Sequence, residues 1–517
     1  MRPFRASARG CMERGEFDMR SSIRRCVPVV LLAGSLLLGT SALAQRPPAP
    51  PQQPYPGMPS YPVGQPGPGP ILLPTPGAPQ GPSAPPREAA TQPALSESPT
   101  RIESEKFIVT HNPTAWAKDS VRISPDGKRF AVVIHSEDKA TAHASIDGQD
   151  QKNYGWVRDL AFSGDSRHVA YVATIDGKDL PVVDGREGAF RGEIWGGTRG
   201  GGGTLRLNHD GTHLAFVARK GNAPAFGVVI DGTADRPNVD PNDGAPVFSR
   251  DGKRLAYIAQ DGGQRFVVLD GKPGTKYDTV YKGTLTFSLD GKRLAYVVGK
   301  EGQRTVVLDG VEGTPHADIL VATLRFSPDG NKLAYAAQIE SGKWAVIVNG
   351  QAGAGFDYIG GFTGVTWSPD SKRVAYGALL NKQWAAIVDD TGFPYDAIAS
   401  MVFSPDSRRA AFHAQTDGKW ISVVNGPDGT YASRLKSESV LNETLTFTPD
   451  GKYLVYGAMI NGRPHMVVNG RPAQSFYEAI WNIDGGRIVF ETSTSFSYIA
   501  LKEGKIYLVR ETVTLAP

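Results

Sequence analysis

The chain has 517 residues, with 56 Lys or Arg against 52 Asp or Glu and a formal net charge of +4. Residues 1–44 hold seven arginines and three acids, so the rest balances 49 basic groups against 49 acidic ones. That balance argues against nucleic-acid binding, which needs a basic surface excess. Both cysteines, Cys11 and Cys26, lie in the same first segment, which excludes thiol catalysis and cysteine metal sites from the remainder.

The first element is a targeting segment. Arg20, Arg24 and Arg25 precede an apolar run from Val27 to Leu38, and Ala42-Leu43-Ala44 sets small residues at a cleavage site. The run is short for a membrane span. Residues 1–44 are therefore expected to be a secretory signal peptide cleaved after Ala44, in preference to an uncleaved anchor, with Met19 as an alternative start. This places the mature chain in the periplasm or outside the cell, with no membrane span left after cleavage. No cysteine follows the run closely, so no lipoprotein attachment is expected. A large domain can do without disulfides there.

Residues 45–104 form a proline-rich segment, "RPPAPPQQPYPGMPSYPVGQPGPGPILLPTPGAPQ" and onward. Proline removes backbone donors and favours extended polyproline II, and the apolar content is too low to pack. A disordered or semi-rigid stretch is expected. At ~3.1 Å per residue it would reach on the order of 150 Å. It suits a spacer from an anchor or across a cell wall, or a ligand for a proline-binding partner; the plain spacer is favoured.

From residue 105 to 517 the chain repeats itself. "LRFSPDGNKLAYAA" at Leu324 matches "LTFSLDGKRLAYVV" at Leu285 and "VTWSPDSKRVAYGA" at Val365. The turn aspartates are Asp126, Asp165, Asp210, Asp251, Asp290, Asp329, Asp370, Asp406, Asp450 and Asp484, at a mean interval of about 40 residues. Each unit has an apolar run into the turn, a run out of it, and a third run ending in Asp-Gly or Asn-Gly, as at Asp309-Gly310, Asn349-Gly350 and Asn469-Gly470. A weaker fourth segment carries an aromatic and an acid, as at Tyr277-Asp278, Phe356-Asp357, Tyr395-Asp396 and Tyr477-Glu478. Short β-branched and aromatic runs between turn signals read as strands, and no convincing amphipathic helix interrupts them. The expected fold is all-β: a β-propeller of about eight to ten four-stranded blades built from ten repeats. One ring is favoured over two smaller propellers in tandem, closed by strands near Phe107–Val109 and Ile506–Val509.

The repeated Ser-Pro-Asp-Gly is read as a bend. Proline presets a type I turn, aspartate follows comfortably, and glycine takes the left-handed position that closes the hairpin. Ser166, Ser371 and Ser407 stand where glycine would be best, so each is expected to be strained by up to ~1–2 kcal/mol. Asp-Gly and Asn-Gly at the second hairpin favour type I′ geometry.

The run Ser-Pro-Asp-Gly-Lys-Arg-x-Ala-Tyr resembles the WD-repeat-like β-propeller repeats of TolB-type proteins, over roughly Lys106 to Val513. It is also similar to repeats of propellers attached to serine peptidases. The resemblance implies a propeller whose loops entering each first strand open onto a central channel. TolB itself carries a small mixed α/β domain before a six-bladed propeller. Here the proline-rich stretch stands in that place and the repeats number ten. The Asp-box of sialidases and sortilin-like propellers separates its Asp and Gly by one residue, whereas here they are adjacent.

Candidate chemistry is sparse. No Gly-x-Ser-x-Gly elbow or α/β domain supports a hydrolase. The glycine run Gly196–Thr204 lacks the Gly-Lys-Ser/Thr ending of a phosphate loop and reads as a flexible inter-blade loop. His209 and His213 flank a turn without the helix and Glu of a metalloprotease, and one Asp per turn does not make a calcium loop. No cofactor and no metal site is expected. The loops entering the first strands carry Trp156, Arg158, Trp195, Arg199, Tyr281, Lys282, Phe362, Asn442 and Glu443, including aromatics and arginines of the kind that anchor interfaces. Packing between blades is the competing role for the aromatics. The function expected is a non-catalytic protein-binding or scaffold module of the bacterial cell envelope, with a protein partner at the channel mouth. A channel-centred enzyme or a small-ligand or glycan binder is the alternative. The oligomeric state is not legible.

Overall fold

The computed structural model describes residues 71–72 and 98–514, apart from 111–119, 197–202, 222, 224, 361–363, 390, 428, 434, 442–443, 475–476 and 482–487. The signal segment, nearly all of the proline-rich stretch and the tenth turn aspartate, Asp484, lie outside the described residues.

The fifth repeat shows how one unit folds. Ser288 donates its hydroxyl proton to Asp290 Oδ1 at 2.6 Å and accepts the Arg293 amide at 3.0 Å, while Lys292 N donates to the same Asp290 oxygen at 3.2 Å. Gly291 closes the bend at φ 70°. The chain then runs out as Leu294–Lys300, turns, and returns as Gln303–Leu308 in a ladder from Ala295↔Leu308 to Lys300↔Gln303. Asp309 and Gly310 follow with φ 52° and 82°, the two positive values a type I′ turn requires, as the dipeptide predicted. The outer strand is Val311–Glu312.

Ten such sheets follow one another along the chain. The second strand of each is near-continuously apolar because both faces are covered; Leu294 to Gly299 are all buried. Ten hydrophobic clusters lie between successive sheets, one at each interface. The tenth cluster joins Ile108, Val121, Phe130 and Val132 to Ile499, Ile506 and Leu508, so the last blade packs on the first. Thr100–Thr110 completes the last blade, pairing antiparallel with Lys505–Val513 through Phe107↔Tyr507 and Val109↔Ile506. The molecule is one ten-bladed propeller, at the upper end of the expected range, and is not two rings. First strands of neighbouring blades approach within 8 Å of each other at several residues, which puts them on the inside of the ring.

Two details differ from the sequence reading. In blades 3, 5, 7, 9 and 10 the innermost strand is broken into two short pieces on the same partner, as with Thr279–Val280 and Thr286–Phe287 on Leu294–Lys300. Thr284 bridges that break: its hydroxyl donates to Tyr281 O at 2.6 Å and accepts Val297 N at 3.1 Å. The three serines at glycine positions do adopt left-handed φ of 67°, 62° and 62°. Each has compensation that glycine lacks. Ser166, Ser371 and Ser407 accept the amides of Asp126, Asp329 and Asp370 from the preceding blade at 3.0, 2.9 and 2.9 Å.

Candidate functional site

Most recurrent polar groups are spent on construction. Arg293 donates from Nε to Asp309 Oδ2 at 2.9 Å, reaches Asn331 O of the next blade at 3.1 Å, and lies 5.9 Å over that blade's Phe326 ring. Arg129, Arg254 and Arg373 repeat the arrangement over Phe162, Phe287 and Phe403. Asp309 Oδ1 meanwhile accepts Leu294 N. The acid after the fourth-segment aromatic accepts a hairpin amide: Asp278 from Glu301 N at 3.0 Å, and Asp357 from Asn381 N at 2.7 Å. Asp251, Asp290, Asp329, Asp370 and Asp406 are held below the usual carboxylate range, chiefly by the turn serine hydroxyl. A group already hydrogen-bonded within the ring contributes structure, so function is sought where a blade departs from the repeat.

The departures concentrate on the innermost strands. One and three residues before the turn serine, side chains enter the inter-blade cores, as Phe287 and Leu285 do. Two residues before it, the side chain stays partly open on the inside of the ring. In blades 1 to 9 that position holds Arg122, Ala161, Arg206, Val247, Thr286, Arg325, Thr366, Val402 and Thr446, none of them buried. Three arginines and no acid make this band of the wall basic. Arg325 is exposed, yet the surrounding protein lowers its pKa by desolvation, the setting of a channel wall. It donates to Leu324 O at 2.8 Å, and among the described residues no carboxylate pairs with it. Trp367 of the next blade donates Nε1–H to Arg325 O at 3.3 Å.

A second departure lies in blade 2. Asp159 occupies a left-handed position, φ 57°, at a register shift in the strand Trp156–Phe162. Burial pushes its carboxyl above the usual range, against the pull of Arg158, Arg206 and Arg122. The ends of the glycine run close on it. A Cβ at Gly196 would lie 2.2 Å from Asp159 Oδ2, and one at Gly203 2.1 Å from Asp159 Cγ. Those two glycines therefore serve close packing on a carboxylate, which a phosphate cradle would not tolerate.

The residues singled out from sequence fall into three groups. Arg158 is half-buried and engaged: its guanidinium bonds Asp159 Oδ2 at 2.5 Å, Asp179 Oδ2 at 2.7 Å and, across to blade 3, Ile194 O at 2.7 Å. Trp195 stands edge-on to Phe226 at 5.4 Å, and Tyr281 lies under the Arg304 guanidinium at 4.6 Å, so both pack within the wall. Trp156 remains 39 % exposed, its ring tilted against that of His135 at 4.7 Å, and Lys282 is exposed. Arg199, Phe362, Asn442 and Glu443 lie outside the described residues. Trp195, Tyr281 and Lys282 sit in the breaks of innermost strands, where the sequence reading set them ahead of those strands. His213 Nδ1 is engaged by Asp231 Oδ2 at 2.7 Å. Sequence reasoning missed Arg122, Asp159, Arg206 and Arg325. Stacking the repeats on their turn serines would have exposed the arginine column.

The fold and this wall define a ten-bladed β-propeller with a partly basic channel. The sequence matches no family model and no curated protein. Among solved structures, a eukaryotic initiation factor aligns at 14 % identity over 73 % of this chain and 90 % of its own, with a TM-score of 0.40. The β-propeller domain of Cps50 (Swd1) from Myceliophteria thermophila aligns at 14 % identity over 51 % and 94 %, TM-score 0.27. TolB from Acinetobacter baumannii aligns at 14 % identity over 62 % and 63 %, TM-score 0.23. The propeller assignment rests on the ten sheets and ten cores of this chain.

Proposed function

We propose that this chain is a non-catalytic, protein-binding propeller of TolB-type repeats, exported to the bacterial cell envelope, and that its channel wall receives the partner. One observation carries the reading: Arg325 stands exposed at the inward position with no carboxylate paired to it among the described residues, in a column that also holds Arg122 and Arg206, whose charge Asp159 partly offsets. Arginine forks recognise carboxylates in two-point geometry, and a concave wall of one sign concentrates its counter-charge. An acidic segment of a protein partner is the matching chemistry. Export is supported by the arginine-flanked apolar run and Ala42-Leu43-Ala44, and an envelope scaffold suits the proline-rich spacer. Among the described residues no helix is long and apolar enough to cross a membrane.

The test is in-cell crosslinking of the tagged full chain, wild type against Arg325→Glu, with mass spectrometry of what co-purifies. Arg325 is exposed and its described bond is to a neighbouring carbonyl, so the variant should fold. Loss of one dominant envelope protein on charge reversal supports the reading. Equal capture by both chains overturns the channel wall as the docking surface. No enrichment over an unrelated exported control, with a glycan or small molecule binding the purified ring, establishes the channel-ligand alternative.

A further inference from the structure

In six of the ten blades the outer strand is only two residues long, which leaves little edge to pair with another strand. In blades 1, 2, 4, 5 and 6 the outer strands are Gln149–Asp150, Arg186–Glu187, Lys272–Pro273, Val311–Glu312 and Gln351–Ala352, two residues each and exposed at both. Short edges with charges or proline discourage pairing with another strand. Blade 7 breaks this pattern. Its outer strand, Thr391–Tyr395, runs five residues, "TGFPY", without a charge, and Gly392, Phe393 and Pro394 are buried. Phe393 faces the core shared with blade 8. Gly392 and Pro394, on the other side, border an apolar hollow formed with Phe356, Leu380, Ala385 and Ile387.

The strand laid on this edge comes from the proline-rich stretch. Ile71–Leu72 pairs antiparallel with it, Ile71 opposite Gly392 and Leu72 opposite Thr391. The sequence explains the choice independently. Between residues 46 and 99, Ile71-Leu72-Leu73 is the one run of branched aliphatics, and Pro70 and Pro74 bracket it. Prolines cannot donate to a ladder, so the bracket limits the added strand to the aliphatic run itself. An uncharged edge beside an apolar hollow and a single aliphatic run in a polar, proline-rich stretch are complementary halves of strand addition.

We propose that the outer edge of blade 7 is a strand-acceptor site whose resident occupant is Ile71-Leu72 of the same chain. The proline-rich stretch is then no free spacer. It is pinned to the rim three blades from the closure strand. Twenty-five residues separate Leu72 from Ser98, a reach of at most roughly 80–90 Å.

Directly opposed residues of antiparallel strands have Cα atoms about 4.5–5.5 Å apart, within disulfide range. The test is oxidation of the mature chain, which has no cysteine of its own from Gln45 onward, carrying Leu72→Cys with Thr391→Cys. The control carries Leu72→Cys with Val311→Cys, on the exposed edge of blade 5. Both substituted acceptor positions are at the rim, and a thermal melt confirms folding. The expected result is an intramolecular crosslink at residue 391 at least tenfold faster than at 311. Equal rates at the two edges overturn the site. Crosslinked dimers at 391 without intramolecular product overturn the resident occupant and assign the edge to a second copy.

Discussion

Glu511 titrates at the seam that closes the ring. It is 2 % exposed, stands opposite Ile102 of the closing strand, and accepts the Tyr498 hydroxyl at 3.0 Å, while its Oε2 has no hydrogen-bond partner among the described residues. Burial raises its pKa from 4.5 to about 7, a larger effect than the bond from Tyr498, which lowers it. Between those values the folded ring keeps a proton that the unfolded chain has lost. Stability therefore falls as pH rises from about 4.5 to 7 and levels off above. A shift of that size corresponds to about 3 kcal/mol, as an order of magnitude. Glu511→Gln keeps the acceptor for Tyr498 and cannot ionise. The variant should match wild type near pH 5 and exceed it at pH 8 by that amount. Thermal and urea midpoints of both chains, taken from pH 5 to 8, should diverge steadily with pH. Curves that stay parallel across the range would refute the argument that a buried ionisable group sits in the closure.

Three further outcomes are expected. His413 is fully buried, with its pKa lowered from 6.5 to about 3 by burial, so stability should drop as pH falls below 6.5; an imidazole NMR titration of folded protein with a midpoint above 6 would contradict this. Ser371→Ala should cost about 1 kcal/mol, because the part-buried hydrogen bond from Asp329 N is lost and the left-handed backbone remains; Ser371→Gly should lose less, since glycine relieves about 1 kcal/mol of backbone strain, and the reverse order in urea midpoints would show that the left-handed backbone at 371 is not strained. Arg293→Ala should cost about 1–2 kcal/mol from the ring contact and the bond to Asn331 O, with little from the half-exposed ion pair; a change under 0.3 kcal/mol in a denaturant titration would remove the clamp from the account of blade packing.

What could be read from sequence was what a few adjacent residues decide. Asp309-Gly310 demands two positive φ values wherever it stands, and Ser288 can reach only its own turn, so hairpins and blades were legible. Closure was legible too, since the strands expected near Phe107–Val109 and Ile506–Val509 do pair; only the exact blade number, set at about eight to ten, had to wait for the structure. The breaks in the innermost strands were misplaced. Thr279–Val280 and Thr286–Phe287 are too short to carry a period, and only their shared partner Leu294–Lys300 makes them one strand. Arg158 had the composition of an interface residue, and its engagement depends on Asp179 and on Ile194 of another blade.

The same logic explains why the basic wall escaped notice inside the most conspicuous motif. Arg325 belongs to "LRFSPDG" and Arg293 to "LDGKRLAY", separated by one repeat and equal in charge. Arg293 lies after the turn, where Asp309, Asn331 O and the Phe326 ring all await it, so the repeat itself requires a cation there. Arg325 lies before the turn, at a position where Thr286 and Thr366 serve the fold equally well. Construction therefore accounts for the first arginine and leaves the second unexplained. In a ring built ten times from one rule, a charge that the rule does not need is the strongest pointer to what the ring binds.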